Sequence, residues 1–209
     1  MVLEYTEMER ELIRTFVAIK IPAEVKEELA ELLHRLERLP FSMKWVELEN
    51  LHLTLGFLGY IEKDKLDTLC QAIEKGTIGI SPFVVRPSRI VCFPSFNRPR
   101  VIVLEIKGEV FLLEKLQKQI EKNLLEAGFK PKVTKPHLTL GRVSKKVKTS
   151  ERRTLGKKLM SFSFDFQKEL PVGSVTVFKS DLFPQGPVYT KLKEFKLSTS
   201  RHLKDGNNP

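Results

Sequence analysis

The chain carries one pentapeptide twice, as His52-Leu53-Thr54-Leu55-Gly56 and as His137-Leu138-Thr139-Leu140-Gly141. In an extended strand successive side chains point to opposite faces, so residues two apart share one. Each copy therefore sets an imidazole and a hydroxyl on one side of a strand and two leucines on the other. A core accounts for the leucines; it does not account for the His-x-Thr face. The copies also sit in matching surroundings. Phe16 to Ile21 and Val101 to Ile106 are short apolar runs, and laying Phe16 on Val101 shifts the chain by 85 residues, the step that separates His52 from His137. A helical pattern follows each run. One opens at Pro22 and reaches about Leu39, with Val25, Leu29, Leu32, Leu36 and Leu39 in one stripe. The other spans Glu109 to Ala127, with Leu113, Leu116, Ile120 and Leu124 on one face and Gly128 ending it. Strand, helix and motif recurring in register, small gaps aside, mark a duplication.

The remaining segments fit two like halves. Lys44 to Val46 and Leu51 to Leu58 read as strands, and Glu62 to Lys75 reads as a helix burying Leu66, Leu69 and Ile73 with Gly76 as its cap. Phe83 to Phe93 is a strand interrupted near Pro87, followed by a turn at Asn97-Arg98-Pro99. Ser150 to Met160 is a very basic helix, and Ser161 to Phe166 alternates with period two, as a half-exposed strand should. Ser174 to Lys179 and Val188 to Leu197 are further strands, joined by a turn at Pro184-Gln185-Gly186-Pro187. The expected architecture is α+β: a bilobal duplicated fold with two antiparallel sheets, helices packed outside, and pseudo-twofold symmetry about a central cleft. By region it divides into an N-terminal extension (1–13), a single bilobal domain (14–197) and a polar C-terminal tail (198–209). Met8 offers an alternative start within the extension.

Composition narrows the setting. Hydrophobic residues at 41% and charged residues at 30% place the chain among globular proteins, and no apolar run nears the roughly 18 residues of a membrane span. Met1 to Arg14 is acidic and polar, unlike a secretory signal. Cys70 and Cys92 are too few and too far apart for a disulfide framework or a thiolate metal site. A monomer in the reducing cytoplasm is expected. The net charge of +10 favours polyanionic partners, although a lysine-rich solvated surface gives the same count. Lys145, Lys146, Lys148, Arg152 and Arg153 form a basic segment read as facing water rather than gripping RNA.

The His-x-Thr faces supply what phosphodiester cleavage needs. A proton must leave the nucleophile and another must reach the departing oxygen, and histidine, with an ordinary pKa of about 6.5, suits both tasks. Each such transfer contributes about 10²–10⁴ in rate. Thr54 and Thr139 would donate hydroxyl hydrogen bonds to the non-bridging oxygens, where charge gathers in the transition state. A single strand histidine or threonine is usually structural; two pairs at the same place in duplicated units are not explained by packing. His34 and His202 lack that context and are read as structural. A metal would want a third or fourth ligand at recognisable spacing, and no Asp or Glu shares the local face in either copy, which leaves zinc as the lesser alternative. A serine nucleophile lacks its Gly-x-Ser-x-Gly elbow. Arg142 stands five residues after His137, an odd step that turns it away in a regular strand, whereas a bulge at Gly141 would bring its guanidinium back to the phosphate. Its counterpart in the first copy is Phe57, suited either to stacking on a base or to the core.

The stretches Asn50 to Gly59 and Pro136 to Arg142, with Arg14-Thr15-Phe16-Val17-Ala18-Ile19 and Gly186-Pro187-Val188-Tyr189, resemble the 2H phosphoesterase superfamily. Within it the match looks closest to the RNA 2′,3′-cyclic phosphodiesterases, also known as 2′-5′ RNA ligases. The resemblance covers about Arg14 to Leu197. It implies both histidines in a central cleft and no metal or organic cofactor. It also implies that His137 deprotonates the attacking water while His52 protonates the departing 3′ oxygen, leaving a 2′-phosphate on RNA or a small nucleotide. Phe16, Phe57 and Tyr189, within the matched stretches, are the expected substrate contacts. Two rival readings share the cleft: 2′-5′ RNA ligation by the same two imidazoles, and an RNA- or nucleotide-binding module without turnover.

Overall fold

The computed structural model describes residues 11–199. Chain order is β1 (Leu12–Lys20), α1 (Ala23–Glu37), β2 (Met43–Trp45), β3 (His52–Glu62), α2 (Leu66–Thr77), β4 (Phe83–Phe93), β5 (Val101–Gly108), α3 (Val110–Glu126), β6 (His137–Val143), α4 (Thr149–Met160), β7 (Leu170–Val172), β8 (Ser174–Leu182) and β9 (Pro187–Lys196). Strand, helix and motif strand thus recur as β1-α1-β3 and β5-α3-β6, the repeat that the 85-residue shift predicts. His202 and most of both terminal segments lie outside the described residues.

All strand pairs are antiparallel, and the ladder runs β7-β4-β5-β6-β3-β1-β8-β9 with β2 on the side of β6. The two expected sheets are the two wings of this one ladder. They meet where β3 touches β6 through a single registered pair, Leu53 and Leu138. Four leucines of the motifs, Leu53, Leu55, Leu138 and Leu140, are 0–1% exposed and join the helices in one core. Complete burial of such a side chain is worth about 1.5–3 kcal/mol before the entropy of ordering it. The core therefore fixes which face of each motif strand is turned away from it.

Helix ends follow local chemistry. Lys26 N–H donates to the Pro22 carbonyl, so α1 starts where the proline places it. Gly128, at φ 85°, lets Phe129 N–H reach the Leu124 carbonyl and its own N–H reach Leu125, closing α3 in a Schellman motif. Gly76 has a different task from the predicted cap. It lies inside α2, where a Cβ would stand 2.8 Å from the Ile120 Cα, so it is the point of closest approach to α3.

Ser161 to Phe166 is the one predicted strand that pairs with nothing; the strand of this region is β7, a few residues on. The alternation is real but its partner is α1. Phe162, Phe164 and Phe166 pack against the core, and Arg35 lies over the first two rings while donating to the Ser163 carbonyl. Glu28 then accepts from the N–H groups of Gln167 and Lys168. The segment is thus held against α1 by its rings and by the Ser163 carbonyl instead of by a ladder. Among the described residues no helix is long and apolar enough to cross a membrane.

Candidate active site

His52 and Thr139 flank the Leu53–Leu138 pair on one side, Thr54 and His137 on the other. Residues adjacent to a cross-strand pair point to the face opposite it. All four polar side chains therefore share the face that the leucines turn away from. Each imidazole is held by its own backbone: His52 Nδ1 donates to the Asn50 carbonyl at 2.7 Å, His137 Nδ1 to the Lys135 carbonyl at 2.8 Å. A carbonyl only accepts, so Nδ1 carries a proton in both rings and Nε2 is left for chemistry. Asn50 also donates from its side chain to the Pro187 carbonyl, tying the His52 support to the start of β9.

The two rings differ in surroundings. Burial lowers the His52 pKa below its ordinary value; the Asn50 carbonyl opposes this, and the charge of His137 adds to it. That last effect places the rings within electrostatic reach of each other. Phe16 lies 4.8 Å from the His52 ring and Tyr189 5.3 Å, edge-on, whereas Phe93 meets His137 edge-on at 5.4 Å.

Both motif strands bulge at the same place. Val17 pairs with Gly56 and Ala18 with Thr54, leaving Leu55 without a partner on β1; Ile102 pairs with Gly141 and Val103 with Thr139, leaving Leu140 without one on β5. One extra residue reverses the alternation downstream. Phe57 and Arg142, five residues after each histidine, are thereby returned to the His-x-Thr face. Arg142 is exposed there, with Lys44 beside it on β2. Burial raises the Tyr189 pKa, while the charges of Arg14 and Arg142 lower it, which sets Arg142 close enough to act on that phenol.

The predicted aromatic contacts separate into two kinds. Phe57 is 38% exposed and Tyr189 half-buried, so both offer surface to a ligand. Phe16 is 2% exposed beneath His52, Phe57, Phe178 and Tyr189, so it can contribute only the floor of a site and not one of its walls. A pocket lined by Phe16, Lys20, Asn50, His52, Phe178 and Tyr189 opens beside the first motif.

Several neighbours come from strand pairing and leave no local signal in the sequence. Phe93 and Phe178 are two. Arg14 is a third, its guanidinium donating to Ser180 Oγ at 2.6 Å. Glu105 is cross-strand from His137, a carboxylate that inspection of the motif alone misses, and Arg89 and Lys135 take up its charge at 2.8 Å and 3.8 Å. In the basic segment one member departs from the others. Arg152 donates to the carbonyls of Val147, Pro99 and Ser144, and Lys145, Lys146, Lys148 and Arg153 are exposed.

Comparison with known proteins finds relatives over most of the chain. The LigT-like phosphoesterase family profile matches residues 19–103 and again 108–189, one match to each half. An RNA 2′,3′-cyclic phosphodiesterase of Methanocaldococcus jannaschii is 33% identical over 183 residues, 87% of this chain and 99% of the relative. One of the same name from Archaeoglobus fulgidus is 33% identical over 184 residues, 88% and 99% respectively. Among solved structures, a Thermus thermophilus protein superposes with a TM-score of 0.66 at 30% identity, covering 88% of this chain and 98% of its own. E. coli LigT complexed with 3′-AMP superposes with a TM-score of 0.66 at 26% identity, covering 90% and 99%.

Proposed function

Because the chain belongs to the LigT-like phosphoesterase family, we propose that it is an RNA 2′,3′-cyclic phosphodiesterase, opening the cyclic phosphate to a 2′-phosphate with His52 and His137 as its acid–base pair. One observation carries this reading: two His-x-Thr pairs share one face about a single cross-strand pair, each ring fixed through Nδ1 and free at Nε2. His137 Nε2 takes a proton from water as the water oxygen bonds to phosphorus. The bond from phosphorus to the 3′ oxygen breaks, and His52 Nε2–H delivers its proton to that oxygen. Thr54 and Thr139 donate to the two non-bridging oxygens, and Arg142 adds charge to the same anion. Phe57 and Tyr189 flank the nucleoside above the Phe16 floor. No cofactor enters these steps.

The assignment of acid and base follows the family resemblance. Burial lowers the His52 pKa in the open cleft, and a bound phosphate anion favours the protonated ring that the acid role requires. With an RNA 5′-hydroxyl in place of water, the same displacement of the 3′ oxygen joins a 2′-5′ linkage through the same rings. The unit that works is residues 14–197, as a monomer in the cytoplasm, where the buried free thiols of Cys70 and Cys92 are at home.

The test is incubation of an oligonucleotide ending in a 2′,3′-cyclic phosphate with purified protein and chelator. Wild type should release a 2′-phosphate end, and His52→Ala and His137→Ala should each lose at least about 10²-fold in kcat. Full turnover by either variant refutes the assignment, and tight binding without wild-type turnover supports the non-catalytic rival.

A further inference from the structure

The buried face of α1 is wholly aliphatic: Val25, Leu29, Leu32, Leu33 and Leu36. The buried face of α3, its counterpart in the second half, contains Leu113, Leu116, Ile120, Leu124 and one carboxamide, Gln117. At 7% exposure that amide must find partners inside the protein. Its Nε2 donates to the Leu55 carbonyl at 2.9 Å and to the Thr134 carbonyl at 3.0 Å. Leu55 is the bulged residue of β3, and Thr134 stands three residues before His137. One side chain thus ties together the two segments that carry the imidazoles.

The pseudo-twofold symmetry shows what this replaces. β3 and β6 diverge on either side of Leu53–Leu138, so each bulge faces a gap. In one half the gap is closed by backbone: Lys44 pairs with Arg142, and Val46 N–H donates to the bulged Leu140 carbonyl at 2.8 Å. In the other half Lys132 bridges to Phe57, the equivalent of Arg142, so Thr134 stands where Val46 stands. There the bulged carbonyl is met by the Gln117 amide, which also holds the arriving chain through Thr134. We propose that Gln117 is a positioning residue, a strut that sets the separation of the two His-x-Thr segments. Its effect on turnover rests on the phosphodiesterase reading above; its effect on the geometry does not.

Gln117→Met keeps the length and removes the donor; Gln117→Glu keeps one donor when protonated and none when ionised. With a cyclic-phosphate oligonucleotide, Gln117→Met should lower kcat about 10–100-fold, the scale of a misplaced catalytic group, with KM within about threefold. The ratio of Gln117→Glu to wild-type kcat should rise as pH falls from about 8 to about 5.5, as the buried carboxyl gains its proton, while the Gln117→Met ratio stays flat. A purely structural role predicts two ratios that run parallel with pH. Parallel ratios, or a Gln117→Met kcat within twofold of wild type, overturn the proposal, and if the methionine variant fails to fold the glutamate variant carries the same test. A second readout needs no turnover: the histidine ring protons are followed by NMR as inorganic phosphate is added. In wild type both rings should shift with one midpoint, and in Gln117→Met that midpoint should move up about tenfold. Wild type that binds phosphate on both rings yet opens no cyclic ester removes the function and leaves the strut standing. An unchanged midpoint in the variant, or wild-type rings that ignore phosphate, removes the strut.

Discussion

His52 and His137 have the same backbone partner two residues upstream and different neighbours. The difference is measurable. In kcat/KM, which reports the free enzyme, His52 must be protonated to act as acid, and its pKa is held below 6.5, chiefly by burial. Activity should therefore fall with rising pH through a midpoint below 6.5, whereas in kcat the bound anion should carry that limb to higher pH. A kcat/KM limb descending only well above 6.5 would contradict the acid assignment. A p-nitrophenyl phosphodiester, whose leaving group departs without a proton, separates the roles directly. His52→Ala should retain much of its activity on that ester while His137→Ala does not, and the opposite pattern exchanges acid and base. Linkage adds a stability effect. The folded state holds the His52 proton less tightly than the unfolded chain, so stability is lost as pH falls through about 6.5 towards the lowered folded value and is fully present above. His52→Gln should flatten that part of the melting profile.

At the scale of elements, the two bulges decide which residues join the histidines, and their glycines are unequal. A Cβ on Gly141 would stand 2.6 Å from the Trp45 ring and 3.1 Å from the Lys44 carbonyl, whereas one on Gly56 would meet only Pro131 and Val133 at 3.6 Å and 3.8 Å. Gly141→Ala should push β2 from β6 at a cost of about 1–3 kcal/mol. Its Tm should fall by roughly 2–4 °C per kcal/mol and kcat/KM should fall with Arg142 displaced; Gly56→Ala should stay close to wild type in both. Equal effects in calorimetry and kinetics would sink this account of the bulges. Gly76→Ala, aimed at the Ile120 backbone, should destabilise by a similar amount. These elements also show how far sequence reading reaches. Periodicity tells which face of a segment is apolar but not what covers it. That is why the α1 stripe and the motif leucines were legible, while Ser161 to Phe166, whose rings pack on the core and under Arg35, is not a strand. Gly76 looked like a cap because a glycine after a helical stripe usually is one; only the approach of α3 reveals its task. Arg142 was legible as far as the bulge it required. Phe93 and Glu105 reach His137 through ladders whose register no local pattern records.

For the whole molecule, duplication followed by divergence places two His-x-Thr pairs about one pseudo-twofold axis. The halves kept the imidazoles and hydroxyls and diverged around them, with aromatic rings against His52 and Arg142 and Lys44 beyond His137. The net charge of +10 acts at longer range. If it draws in RNA, KM for a cyclic-phosphate oligonucleotide should rise with salt more steeply than KM for a cyclic mononucleotide, because more phosphates exchange their counterions. Equal slopes would confine recognition to the terminal nucleotide. The shared-anion claim itself is tested most directly by a crystal structure of this protein with a nucleoside 2′-monophosphate in the cleft. His137 Nε2 should lie about 2.6–3.2 Å from one terminal oxygen of the phosphate and His52 Nε2 equally close to the freed 3′ oxygen beside it, with Thr54 and Thr139 on the two remaining terminal oxygens. A phosphate held by one imidazole, with the other ring turned away or out of reach, would contradict it.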